Sequence, residues 1–273
     1  MEVFPHQSNV ILWRSYDCHQ EIWLEVIIDV MDWQIRYATD DVAASKLLRT
    51  IRKAASMNPD FAIGAGYNIW TKLDFERTWG LGSSSTLISL VAQWIGVDAY
   101  LLGQVTFGGS GYDIACAIAK GPIVYKRSED GPCVIPVTYF PDFHKQMCFV
   151  HLNKKKNTDE AIKKIKTTKV PYLENYISRI DHITNDMLNC NVLADFHTLI
   201  EDHELIVSRA FGMPTIKDQI FSDFAGSIKS LGAWGGDFVL ASSKEPIGKT
   251  ITYFNLKGYR TVILFEDMII QRT

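Results

Sequence analysis

Apolar and β-branched residues come in short, dense runs at the start of the chain. Ser8–Asp17 ("SNVILWRSYD") and Gln20–Asp29 ("QEIWLEVIID") read as two strands. From Asp40 to Asn58 the pattern changes period. Val42, Leu47, Leu48 and Ile51 recur near the helical spacing and Pro59 follows, which predicts an amphipathic helix. Tyr67–Phe75 alternates like a strand. An apolar helix is expected over Ser84–Ile95, with Gly96 as its stop and Asp98 capping a further helix to about Thr106. Phe107–Arg127 reads as a glycine loop, a short small-residue helix and a strand, and Ser128–Pro132 has turn chemistry.

Tyr139–Gln146 reads as a crossing between two domains. Beyond it come a strand over Met147–Leu152 and a short helix over Thr158–Thr167. Two long helices follow, over Tyr172–Leu188 and Val192–Phe211. Asp223–Ser243 predicts strand, glycine loop, strand, and Lys249–Lys257 a last helix leading to a strand over Thr261–Asp267. The chain shows no internal repeat and no low-complexity segment. Helices and strands mix in both halves, as an α+β class requires.

Length and composition narrow the function without naming it. The 273 residues suit one large or two medium domains, and 47% hydrophobic with 22% charged residues is a soluble globular balance. A net charge of -3 gives no reason to expect nucleic-acid or membrane partners, but leaves small anionic ligands open. Five scattered cysteines without a Cys-x-x-Cys pair argue against a disulfide framework or a thiolate zinc site, and for a reducing cytoplasm. A cytoplasmic setting is expected, since no signal-like start and no apolar run of about 18 residues is present. A monomer and a homodimer are both compatible.

Candidate chemistry sits in three small-residue loops. "GLGSSS" (Gly80–Ser85) opens a helix, where unpaired N–H groups and the dipole favour an anion and serine hydroxyls can meet phosphate or Mg²⁺. A tight turn with serine capping is the plainer alternative. The loop is neither a Walker A sequence nor Gly-x-Gly-x-x-Gly. "GGSGYD" (Gly108–Asp113) places a carboxylate after a flexible turn, as a proton acceptor for a substrate hydroxyl or simply as an N-cap. "GAWGGD" (Gly232–Asp237) is a phosphate or substrate cover, or an ordinary β-turn.

Taken in order, the three loops resemble the GHMP small-molecule kinases, the superfamily of galactokinase, homoserine kinase, mevalonate kinase and phosphomevalonate kinase. "WGLGSSSTL" resembles the phosphate loop Pro-x-x-x-Gly-Leu-Gly-Ser-Ser-Ala. "GGSGYDIACA" resembles the mevalonate-kinase-type Pro-Ser-Gly-x-Asp-x-Ala, and its Gly-Tyr-Asp-Ile-Ala string looks like a bacterial subgroup. "KSLGAWGGDFVLA" resembles the C-terminal Lys-x-Thr-Gly-Ala-Gly-Gly-Gly-Gly. The resemblance spans roughly Val10 to the end. It implies that Gly80, Leu81, Gly82, Ser83, Ser84 and Ser85 hold ATP phosphates and that Ser84 also meets Mg²⁺. Asp113 would be catalytic. Ser110, Gly111, Gly232, Ala233, Gly235 and Gly236 would bind substrate. The implied fold is a two-lobed α+β unit, ribosomal-S5-domain-2-like over residues 1–142 and ferredoxin-like over 143–273, with the site between the lobes. The implied reaction moves the ATP γ-phosphoryl to a hydroxyl or phosphate acceptor, with mevalonate or phosphomevalonate favoured by Asp113. A non-catalytic nucleotide- or metabolite-binding relative, a kinase for a sugar or homoserine, and an α+β interaction protein are the alternatives.

Several departures from that pattern bear on activity. The family's first motif, Pro-Gly-Lys-x-x-Leu-x-Gly-Glu-His/Tyr, is not found; either the start is truncated or misassigned, or the motif is lost. The proline before the phosphate loop is absent, Trp234 and Asp237 replace glycines, and no magnesium-binding glutamate stands near Leu102–Gln104. Asp237 is expected to face away from phosphate. The basic stretch Asn153–Lys169 and the acidic, histidine-bearing stretch His197–Glu204 read as solvated helix faces. Trp13 and Trp70 are weighed as adenine contacts against core roles.

Overall fold

Alternation of buried and half-buried positions makes β2 (Val10–Tyr16) and β3 (Ile22–Asp29) one-face strands, with Ile11, Trp13, Leu24, Val26 and Ile28 turned inward. They belong to a sheet in a computed structural model that describes residues 1–61, 66–128, 131–154, 171, 173–232 and 236–269. The chain divides into two units, Met1–Ala119 with Ile123–Pro136, and Lys120–Pro122 with Val137–Thr273.

In the first unit, β1 (Glu2–His6), β4 (Gln34–Ala38) and β5 (Gly66–Lys72) complete the order β1-β5-β2-β3-β4. Only β2 and β5 run parallel; the chain crosses between them through β3, β4 and helix α1 (Asp41–Met57). β1 was not expected from the pattern. It carries Pro5, which an edge strand tolerates.

Asp40 caps α1 by accepting the N–H groups of Val42 and Ala43. Ala44, Leu47, Ile51, Ala54 and Ala55 are buried, while Val42, expected on the same stripe, is 68% exposed. Three of these five are alanine, so a pattern of large residues misses the stripe. Trp13 is 1% exposed and donates its indole N–H to Ser15. That buried position makes it a core residue and removes it as an adenine contact. Trp70 lies half-exposed beside Phe4. Helices α2 (Ser83–Ile95), α3 (Ala99–Thr106) and α4 (Tyr112–Ile118) add Ile88, Val91, Ile95, Leu102 and Ile114 to the same core. The hairpin β6 (Ile123–Ser128) and β7 (Gly131–Pro136) follows, and the Ser128 hydroxyl donates to the Gly131 carbonyl across its turn.

The second unit holds an antiparallel sheet of order β11-β8-β10-β9, formed by β8 (Met147–His151), β9 (Gly226–Ser230), β10 (Phe238–Ser243) and β11 (Val262–Leu264). Every residue of β8 and β10 is buried, which requires cover on both faces. On one face Cys148, Val150, Ile228, Val239 and Ala241 pack with Phe221, Phe224 and Phe254, the last on α8 (Ile247–Leu256). On the other lies α6 (Leu193–Phe211), joined to the sheet by a polar seam. His197 Nε2 meets the Ser242 hydroxyl at 2.7 Å, Ser227 donates to Glu201 at 2.8 Å and Ser230 to Glu204 at 2.8 Å. The solvated face expected over His197–Glu204 is therefore corrected for His197 and Glu204, because small serines on the sheet supply the partners that water would have given, while Glu201 and Asp202 are exposed. Burial alone would raise the Glu204 carboxyl, but His203, Lys229 and Ser230 outweigh it and hold the group below the ordinary glutamate range.

Helix α5 (Leu173–Leu188) packs on α6, and α7 (Ile216–Ile220) precedes β9. The strand expected over Thr261–Asp267 stops at Leu264, where α9 (Phe265–Met268) begins. Phe265 stacks on Phe149, and Glu266 and Asp267 suit a helix start. The helix expected over Thr158–Thr167 lies outside the described residues. No helix among the described residues is long and apolar enough to cross a membrane.

Candidate functional site

The first glycine loop ends in a helix start without a side-chain cap. Gly80 and Gly82 adopt φ of 68° and 79°, the left-handed region that glycine enters without strain. Gly82 is the N-cap of α2, a position where serine, threonine or aspartate would normally occupy the free N–H groups. The first helical bond is Thr86 N–H to Gly82 O at 3.0 Å, so the N–H groups of Ser83, Ser84 and Ser85 precede it. The three serines are not equivalent. Ser85 is buried and its hydroxyl donates to the Gly82 carbonyl at 2.8 Å. Ser83 and Ser84 are exposed, and their hydroxyls have no partner among the described residues. Uncapped amides, a positive helix end and two free hydroxyls form a cradle for an anion.

The second loop is more contorted. Gly108, Gly109 and Gly111 have φ of 73°, 102° and 83°. The N-cap of α4 is Gly111, so Asp113 is not the cap; it stands exposed in the first turn. Ser110 shapes this turn by accepting the Tyr112 N–H at 3.3 Å, while the Tyr125 hydroxyl on β6 donates to the Ser110 carbonyl. The Asp113 carboxylate has no hydrogen bond or ion pair among the described residues. A cleft of about 310 Å³ opens beside this loop, lined by Tyr100, Gln104, Ser110, Gly111 and Arg127.

The two loops are held to one another through their helices. α2 packs against α4, and Ile88 and Ile114 both lie beside Gly103 of α3 in one core. A Cβ on Gly103 would lie 2.1 Å from Ile114 Cδ1, so the third helix must be bare at that point. Ile114 adjoins Asp113 in the chain, and Ile88 lies one turn beyond Ser84. Gly103 and Tyr125 were not legible as site residues, and Ser85, expected on phosphate, turns its hydroxyl back to the Gly82 carbonyl. Only the helix packing and the turn geometry reveal them.

The third loop belongs to the second unit. Gly232 has φ 58°, Gly236 is buried, and Ala233, Trp234 and Gly235 lie outside the described residues. Asp237 takes φ 36°, with its N–H on the Lys154 carbonyl and its own carbonyl on the Leu152 N–H. Its Oδ1 is buried and has no hydrogen-bond partner among the described residues. The same carboxylate favours the charged form of His151, although burial lowers that imidazole overall. At the loop base Glu204 anchors Ser230.

For a nucleotide and Mg²⁺, the residues present fit. The uncapped N–H groups suit phosphate oxygens, and the free Ser84 hydroxyl and Asp113 carboxylate are the hard oxygen donors that Mg²⁺ prefers.

No protein-family model and no curated relative matches this chain. Solved structures do match it over most of its length. A mevalonate kinase from Methanococcus jannaschii superposes with a TM-score of 0.67 at 15% identity, covering 96% of this chain and 86% of its own. A Streptococcus pneumoniae phosphomevalonate kinase, solved with phosphomevalonate and AMPPNP, gives 0.60 at 15% identity over 91% and 84%. A homoserine kinase from Cytophaga hutchinsonii gives 0.58 at 13% identity over 99% and 85%. The mixed α+β architecture of this chain is the fold of the GHMP small-molecule kinases.

Proposed function

We propose that the protein is a small-molecule kinase that moves the γ-phosphoryl group of ATP to a hydroxyl or phosphate acceptor. The observation that carries this reading is the uncapped start of α2, with its free Ser83 and Ser84 hydroxyls, packed through Ile88 and Ile114 onto the helix that presents an unpaired Asp113. The N–H groups of Ser83–Ser85 and the backbone around Gly80, Leu81 and Gly82 bind the phosphate tail. Bound Mg²⁺, held by the Ser84 hydroxyl, would neutralise charge on the β and γ oxygens. Asp113 accepts the proton of an acceptor hydroxyl as that oxygen bonds to the γ-phosphorus; the bond from phosphorus to the bridging oxygen breaks and ADP leaves. Ser110 and Gly111 shape the acceptor side.

Mevalonate or phosphomevalonate is the acceptor we favour, because the Ser-Gly-Tyr-Asp turn matches the mevalonate-kinase type and a phosphomevalonate kinase is among the fold neighbours. The test is a turnover assay of the purified full chain with MgATP and, separately, mevalonate, phosphomevalonate, homoserine and galactose. One acceptor is expected to be phosphorylated. In Asp113→Asn, kcat should fall by about 100-fold or more with nucleotide affinity retained, as expected for loss of a general base. Nucleotide binding without turnover on any acceptor would mean a sensor rather than a kinase. Unchanged turnover in Asp113→Asn would remove that residue from its role.

A further inference from the structure

Strands β2 and β5 pair in parallel as far as Tyr16 and Lys72, and the chain segments leaving them stay together. Just past those ends, one thiol, one imidazole and one carboxylate converge. Cys18 Sγ, a ring nitrogen of His19 and a Glu76 oxygen lie within 4.8 Å of one another. We propose that Cys18, His19 and Glu76 form a binding site for a divalent transition metal of the Zn²⁺ class, unrelated to the phosphate loop's Mg²⁺.

The donor set selects the ion. Thiolate and imidazole suit Zn²⁺ and its borderline neighbours, while Mg²⁺ and Ca²⁺ take oxygen ligands. Tetrahedral Zn²⁺ needs neighbouring donor atoms about 3.4–3.6 Å apart, so donors now within 4.8 Å of one another must close in by up to about 1.4 Å, a side-chain adjustment. His19 Nε2 and Glu76 Oε1 are now 2.8 Å apart, joined by a hydrogen bond that the ion would replace. Binding exchanges the Cys18 thiol proton for the metal and releases that proton to solvent; His19 ligates through a neutral ring nitrogen. One thiolate and one carboxylate then balance the ion's two positive charges, and a fourth position remains for water.

The backbone under these side chains is fixed in advance. Asp17 Oδ1 accepts the N–H groups of His19 and Glu21, both at 2.9 Å, which locks the β2–β3 turn. Leu73 N–H reaches the Tyr16 carbonyl at 3.0 Å and ties the other segment to it. On that segment, Trp79 N–H bonds the Glu76 carbonyl at 3.0 Å, and the Arg77 guanidinium sits 3.7 Å over the Trp23 ring. A rigid frame of this kind lowers the ordering cost of ligation. The ion would tie the β2–β3 turn to the segment that runs into Gly80. His19 and Glu76 are 57 residues apart, so no local motif announces the site.

Titration of the full chain with Co²⁺ alone tests it, read as thiolate-to-metal absorption in the near ultraviolet and ligand-field bands in the visible. One ion per chain is expected, displaced by Zn²⁺. Cys18→Ser should abolish the near-ultraviolet band. His19→Gln and Glu76→Gln should each weaken binding by more than about 10-fold, since even outer-sphere partners are worth that much. A variant lacking the exposed Cys116 and Cys133 should bind like the wild type. Without any variant, Zn²⁺ and not Mg²⁺ should raise the wild-type Tm by mass action. Absence of the band in the wild type, its persistence in Cys18→Ser, wild-type affinity in both other variants, or no Zn²⁺-dependent shift would each overturn the proposal.

Discussion

Ser83, Ser84 and Ser85 share one chemistry on paper and divide in the fold. Ser85 is buried with its hydroxyl on the Gly82 carbonyl, whereas Ser84 is exposed with its hydroxyl free of partners among the described residues. Ser85→Ala should therefore cost about 1 kcal/mol of stability, the net worth of one hydrogen bond. Ser84→Ala should leave the Tm unchanged and weaken the Mg²⁺ dependence of turnover. Thermal melts and turnover at varied Mg²⁺ check the pair, and a reversed pattern would assign the roles wrongly. The run of small residues was legible in the sequence because glycine and serine at a helix mouth mean something physical. Which serine is consumed locally was not, since that depends on the side chain at each step of one helical turn. The same holds for Asp113. Its type and spacing were legible, but that Gly111 is the cap and leaves the carboxylate free appears only in the backbone.

Two helical glycines make the element-scale argument. Gly103 of α3 faces Ile114, and an added Cβ would meet Ile114 Cδ1 at 2.1 Å. Gly248 near the start of α8 is exposed, with nothing within 4 Å of such a Cβ. Gly103→Ala should destabilise the protein by about 1–3 kcal/mol through overpacking and, by shifting α4, reduce turnover. Gly248→Ala should raise stability by about 0.5–1 kcal/mol, because alanine is the better helix former. Denaturant unfolding separates them; equal effects would mean that α3 and α4 are not in close contact. Elements with strong periodicity were read well, as for α1, α2 and α6. Those that failed did so for stated reasons: Pro5 disguised β1, and β11 gives way to α9 because Phe265 is drawn onto Phe149. The polar face of α6 was read as solvated because its partners, Ser227, Ser230 and Ser242, come from strands distant in sequence.

At the scale of the whole molecule, the chain keeps the fold of kinases with which it shares 13–15% of residues. What persists at that distance is the mixed α+β architecture, whose alternation of sheet and helix was visible in the sequence. The fold does not single out an acceptor, since neighbours named for mevalonate, phosphomevalonate and homoserine all share it, at TM-scores of 0.67, 0.60 and 0.58. The central claim is that the start of α2 grips a triphosphate. Calorimetric titration of the full chain with MgATP, for wild type and Ser84→Asp, tests it most directly. An aspartate there leaves the helix intact, being favourable near an N-terminus, but its charge opposes phosphate at the same amides. The account predicts one nucleotide bound per wild-type chain and affinity at least about 10-fold weaker in the variant, with the Tm maintained. A flat wild-type titration, or equal affinity in both proteins, would contradict it.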